Sequence, residues 1–187
     1  MSLQPTLWRT CRVLANERRL DCLRAVLLAK QELCVEAVAQ QVGLPHDQAS
    51  LCLRALQARG LLKAIRQSRW VYYSPVPDPS VPIASPVLMA VRVALLDEKW
   101  TDEKTMRAVT AFTHPRRLTI LQTLLHSHAP IGACRLSVLT QVSLPALERH
   151  LKKLRDRGMI RLEDDGWCME SRQSSLAQAF LTILAVG

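Results

Sequence analysis

Aromatic residues are scarce, with Phe, Trp and Tyr making up 4% of the 187 residues. Leu and Ala are abundant in their place, which argues against an all-β fold and for helices. No apolar run approaches the ~20 residues needed to cross a bilayer. The longest, Val87 to Leu96 and Ala179 to Val186, fall well short, and Arg92 interrupts the first. The first fifteen residues carry no continuous apolar segment of the signal-peptide kind. The expectation is a cytoplasmic chain with no membrane partner. None of the six cysteines (11, 22, 34, 52, 134 and 168) belongs to a C-x-x-C pair, so a zinc ribbon is excluded. In a reducing cytosol such thiols stay free, and buried ones act as small hydrophobes. The P-loop, G-x-S-x-G and H-E-x-x-H motifs are missing, and the five histidines and sixteen acids show no spacing that assembles a site. No enzymatic activity, catalytic residue or cofactor is expected. Acidic residues are also in deficit, 16 against 25 Lys and Arg, leaving a net charge of +9. An excess of that sign fits a polyanion, nucleic acid before an anionic membrane.

What is present is enough apolar content for a packed core, 49%. The most informative stretch is Leu44 to Ser74. Ala49, Leu53 and Leu56 recur at the spacing of one helical face, and Gly60 stands where a helix stops. Two short aliphatic and aromatic runs follow, Leu62 to Ile65 and Trp70 to Tyr73. The tetrad Arg66-Gln67-Ser68-Arg69 between them reads as a hairpin turn. A helix that runs into a basic-tipped hairpin is the outline of a winged helix-turn-helix.

Ahead of it the spacing predicts helices over 5–14, from an Asn16 N-cap through Leu27, and over Val35 to Val42 ending at Gly43. Behind it, Ser74 to Pro86 packs five prolines into thirteen residues and reads as a stiff, extended connector. A helix is expected over 87–98, with Thr101 as the next N-cap. The first pattern then returns 98 positions on. Arg18-Arg19-Leu20 maps onto Arg116-Arg117-Leu118, Leu53 onto Leu151, Leu56 onto Leu154, and Arg59-Gly60 onto Arg157-Gly158. A second hairpin spans Ile160 to Met169, turning at Glu163-Asp164-Asp165-Gly166, and a last helix is expected over 174–185. The reading is mainly α with small β-hairpin wings, in two tandem winged helix-turn-helix domains that form an internal pseudo-dimer. The divisions are 1–74 for the first domain, 75–86 for the linker, 87–100 for a dimerisation-type helix and 101–187 for the second domain.

The run His114-Pro115-Arg116-Arg117-Leu118-Thr119-Ile120-Leu121, followed by a Leu-rich helix and hairpin, resembles the arsenic-repressor (ArsR) family of winged-helix regulators. Gly43 to Ser50, Gly60-Leu61 and Trp70-Val71-Tyr72-Tyr73 resemble that family's turn, helix end and wing. The resemblance implies a transcription regulator, with both halves of the usual homodimer carried in one chain and further homodimerisation open. It also raises metal sensing, the family's best-known input. Glu32-Leu33-Cys34-Val35-Glu36 aligns with one family metal motif, but Glu36 stands where a second thiol should be. One thiol and one carboxylate make a poor soft-metal site, so no metal is expected. A redox pair of Cys11 and Cys34 across a module interface is the other option weighed.

With Leu53 turned inward, helical geometry puts Asp47, Gln48, Leu51, Arg54, Ala55 and Ala58 outward. The second copy offers Ala146, Arg149, Lys152, Lys153 and Asp156. The candidate DNA-binding residues are Asp47, Gln48, Ser50, Leu51, Arg54, Arg66, Arg69, Arg149, Lys152 and Lys153. Arg and Gln can read guanine and adenine bidentately, and Lys serves phosphate or guanine. The partner expected is double-stranded DNA, and the function a sequence-specific regulator of repressor type. The alternative is a winged-helix scaffold for protein partners, favoured by Leu51 and the alanines on the first recognition face.

Overall fold

The structure, a computed structural model, describes residues 6–164 and 166–186. Within these the chain is mainly helical with small antiparallel sheets. It opens with α1 (Leu7–Leu14) and α2 (Glu17–Leu28), then β1 (Leu33–Cys34), α3 (Val35–Val42) and α4 (His46–Gln57). The hairpin β2 (Lys63–Gln67) and β3 (Trp70–Ser74) follows, then α5 (Ala84–Arg92), which continues as a π-helical turn over Val93–Asp97. The second half holds α6 (Asp102–Thr110), α7 (Pro115–Leu125), α8 (Ala133–Thr140) and α9 (Leu144–Asp156). It closes with the hairpin β4 (Ile160–Glu163) and β5 (Gly166–Met169) and the helix α10 (Ser175–Val186). No helix among the described residues is long and apolar enough to cross a membrane.

The 98-residue offset persists in the local geometry. Asn16 and His114 both cap a helix by accepting a backbone N–H, from Arg19 and Arg116 respectively. One residue type is the usual cap and the other is not, yet both supply an acceptor. Val35–Val42 and Ala133–Thr140 match end to end, and each stops at a left-handed residue, Gly43 and Gln141. Arg19 and Arg117 both reach back to the end of the preceding helix. Arg19 donates to the Val13 carbonyl at 3.4 Å, and Arg117 to the carbonyls of Ala111 and Thr110 at 2.8 Å. These arginines satisfy carbonyls that a helix end leaves without partners. Leu33 pairs with Tyr73 beside the first hairpin, and Ile131 pairs with Trp167 beside the second.

The proline-rich stretch departs from the extended connector read from its composition. The Asp78 N–H donates to the Gly60 carbonyl, and the Asp78 carboxylate accepts from the Ser80 backbone. Val81 and Ala84 are buried against Gly60. The turn thus folds back onto the end of the first half, where prolines cost little because few backbone donors are needed. The following helix also starts earlier, at Ala84 instead of 87. Pro86 sits in its first turn, where N–H groups have no intrahelical acceptor to lose. The π-helical turn was not legible either. The Glu98 N–H donates to the Val93 carbonyl, five residues back, a widened turn that buries Ala94, Leu95 and Trp100.

One continuous apolar core runs through both halves. α1 packs on α6, α5 packs on α10, and α2 reaches α6, so the helices flanking each half meet across the middle. Phe112 and Phe180, both fully buried, meet edge to face at 5.3 Å and anchor α10. Arg24 of α2 pairs with Asp102 of α6 across the seam and also lies 3.4 Å from Asp21.

Candidate nucleic-acid interface

In the first half, α4 buries Ala49, Cys52, Leu53 and Leu56 and turns its other side out. Asp47, Leu51 and Arg54 are exposed, with Leu51 at 60%, while Gln48 and Ser50 are half-buried. Gln48 is not free to turn, because its Oε1 accepts from Arg18 of α2. Arg54 leans back onto the Ser50 carbonyl at 3.4 Å. The hairpin turns tightly. Gln67 pairs with Trp70, leaving Ser68 and Arg69 as the two-residue loop, with Ser68 at φ 57°. Arg66 and Arg69 are exposed on this hairpin, and the Arg69 guanidinium lies over the Trp70 ring at 5.3 Å. Trp70 is itself partly exposed.

In the second half, α9 buries Ala146, Leu147, Leu151 and Leu154. Ala146 therefore leaves the outward set, because it faces the core near the start of the helix. Arg149, Lys152, Lys153 and Asp156 are exposed. None of the three cations is in an ion pair among the described residues, and Arg149 donates only to the Pro145 carbonyl at 3.2 Å. The second hairpin is less acidic in effect than its sequence. Glu163 accepts a charge-assisted hydrogen bond from Arg161 at 2.6 Å, which holds its carboxyl below the usual range. Asp164 is exposed, and Asp165 lies outside the described residues.

Sequence reasoning missed a cluster behind α9. The His114 and His150 rings lie 4.6 Å apart. His114 Nδ1 is occupied in capping α7, accepting from the Arg116 N–H at 3.1 Å. His150 Nδ1 is buried without a partner. Burial, then the neighbouring His114 and the cations Arg117, Arg116 and Lys153, push His150 down to about 4. His114 is lowered as well, by burial first and then by Arg117, Arg116, Lys153 and Arg12. The signal existed, since His114 occupies the place of Asn16 and His150 that of Cys52, but the sequence does not reveal that these two rings meet.

The thiols and metals can be read from burial. Cys11 is fully buried, which pushes its thiol far up. Cys22 is raised to about 12 by burial first and then by its neighbour Cys52. Cys34 ends β1, and all six cysteines are free thiols. Glu36, opposite the family's second thiol position, accepts from Gln40 at 3.1 Å on the exposed side of α3. Among the described residues no group of three or more His, Cys, Asp or Glu side chains is placed to hold a metal ion.

No family model matches the chain, and no curated protein matches it in sequence. Among solved structures, human N-acetylserotonin methyltransferase in complex with SAM overlaps with a TM-score of 0.34 and 14% identity, over 74% of this chain and 54% of that one. The chain spans about half the length of that enzyme, and so loose an overlap carries no argument about fold or function.

Proposed function

We propose that the chain is a sequence-specific, double-stranded-DNA-binding transcriptional regulator of ArsR-like type, built as two winged helix-turn-helix modules. In this reading α3–α4 and α8–α9 are the helix-turn-helix units, with α4 and α9 lying in major grooves. The two hairpins are the wings beside them. The observation that carries the reading is the outer face of α9. Arg149, Lys152 and Lys153 are exposed there with no carboxylate partner among the described residues. Unpaired cations on a helix face are suited to phosphates and guanine edges.

The shared core supports a pseudo-dimer that holds both reading faces in one rigid frame. The faces differ, Gln48, Leu51 and Arg54 against Arg149, Lys152 and Lys153, so the preferred operator is an imperfect palindrome. Regulation would come from occupancy of that operator, with no metal involved. Selection of bound duplexes from a randomised pool tests this. Arg149→Ala should cost about 1–3 kcal/mol and relax preference at one position, while Asp164→Asn should leave binding unchanged or stronger. A large loss from the wing change would mean that the docking face is wrong.

A second reading, a scaffold for protein partners, has its own support. Leu51 is 60% exposed on α4, and Val138 (77%) and Leu139 (52%) are exposed on α8, an unusual apolar surface for a helix-turn-helix. Replacing Val138 and Leu139 by Gln, the residues at the matching positions 40 and 41, separates the two readings. DNA binding should survive that change.

A further inference from the structure

We propose that Arg12, Arg116 and Lys153 together seat one backbone phosphate of bound duplex DNA at the seam between the two halves. The proposal rests on the DNA-binding reading and adds to it a contact that neither reading helix nor wing supplies alone. Arg12 belongs to α1 of the first half, Arg116 to the first turn of α7, and Lys153 to α9. All three are exposed. Two observations bring them together. Trp8 lines a cleft with Pro115 and Leu118, which sets α1 against the start of α7. The Arg12 guanidinium lies 5.8 Å from the Trp8 ring, on that same helix. His114 stacks on His150 at 4.6 Å, and Arg116 stands two residues past the first ring and Lys153 one helical turn past the second, so both flank the stacked pair.

None of these three exposed cations is in an ion pair among the described residues. Like charges gathered without a counter-ion repel one another unless an anion joins them. A phosphate accepting from two guanidinium groups and an ammonium would relieve that repulsion. The arrangement is one-sided. The matching positions on the opposite side are Thr110, Arg18 and Ala55, and Arg18 is already engaged with Gln48. One seat therefore exists per chain, and it is complete only because α1 of one half reaches the other.

The test is equilibrium binding of the full chain to a mixed-sequence duplex of about 25 base pairs, enough for two half-sites one helical turn apart. Arg12→Gln should weaken binding roughly tenfold at low salt and shallow the slope of log K against log salt by about 0.9, whatever the sequence. Arg12→Lys should keep most of the affinity. Arg9→Gln, which removes the same charge from a neighbouring position over Trp8, should change little. Equal losses from Arg9→Gln and Arg12→Gln would overturn the seat, leaving only a general charge effect. So would an unaltered Arg12→Gln variant alongside an Arg149→Ala variant that loses affinity, and there the DNA reading would stand. If the unaltered chain binds no duplex, both fall together.

Discussion

His150 carries an acid-sensitive term in the stability of the second half. Its folded-state pKa of about 4 lies below the ordinary 6.5, so the unfolded chain takes up the proton first as pH falls. The stability associated with the neutral ring is complete above pH ~6.5 and is lost on going down toward ~4. Lowering of His114 acts in the same direction. Urea unfolding midpoints should therefore drop across this window, and His150→Leu should flatten the drop. A midpoint equally pH-dependent in that variant would contradict the assignment. Arg24 shows a different balance. It stands between Asp21 and Asp102, and Asp21 is raised by burial first and then by the nearby Asp102 carboxyl. Arg24→Ala would leave two carboxyls facing each other across the seam, at a cost of about 1–3 kcal/mol. Adding Asp21→Asn to that variant should restore part of the loss in the same denaturant titration.

At the scale of elements, the second hairpin depends on one glycine. Gly166 has φ 141°, and a Cβ there would sit 2.4 Å from the Ile131 backbone, where Ile131 pairs with Trp167. Backbone cannot step aside, so Gly166→Ala should cost on the order of 2–4 kcal/mol and detach the hairpin from Ile131. Gly60→Ala meets only the side chains of Val81 and Ala84, at 3.0 and 3.2 Å, and should cost less, about 1–2 kcal/mol for its left-handed backbone. Thermal unfolding of the two variants checks the order. Much of this level could be read from residue spacing. The Asn16 cap, the limits of α3 and the stop near Gly60 all follow from local chemistry. Ala133–Thr140 falls at the same 98-residue offset from Val35–Val42. The proline turn was not legible, because its folding back depends on Val81 and Ala84 finding Gly60. Composition describes a segment's stiffness but not the surface it meets. Ala146 was misplaced for a related reason, since helical phase alone cannot say how wide the buried side of α9 is. The histidine pair joins residues 36 positions apart (114 and 150) within the second half. That juxtaposition exists only once α7 and α9 have packed.

For the whole molecule, the two halves share one core instead of resting side by side on a connector. The apolar stripes on α5 and α10, too large for either half to hide alone, cover each other. Phe180, fully buried on α10, meets Phe112 edge to face, and Phe180→Ala should cost about 3–5 kcal/mol. Unfolding should stay a single transition in that variant, as expected when one core is weakened. Two separate transitions would mean that the halves are independent. A frame of this kind fixes the spacing between α4 and α9, so duplexes with displaced half-sites should bind more weakly than matched ones. The net charge of +9 and the exposed cations of α9, the first hairpin and the seam suit the proposed grip on DNA, made largely through its phosphates. The most direct test is equilibrium binding of the full chain to mixed-sequence duplex over a range of salt. With about six phosphates neutralised, log K should fall against log salt with a slope of roughly −5, whereas no binding to any duplex pool at ~50 mM salt would contradict the account.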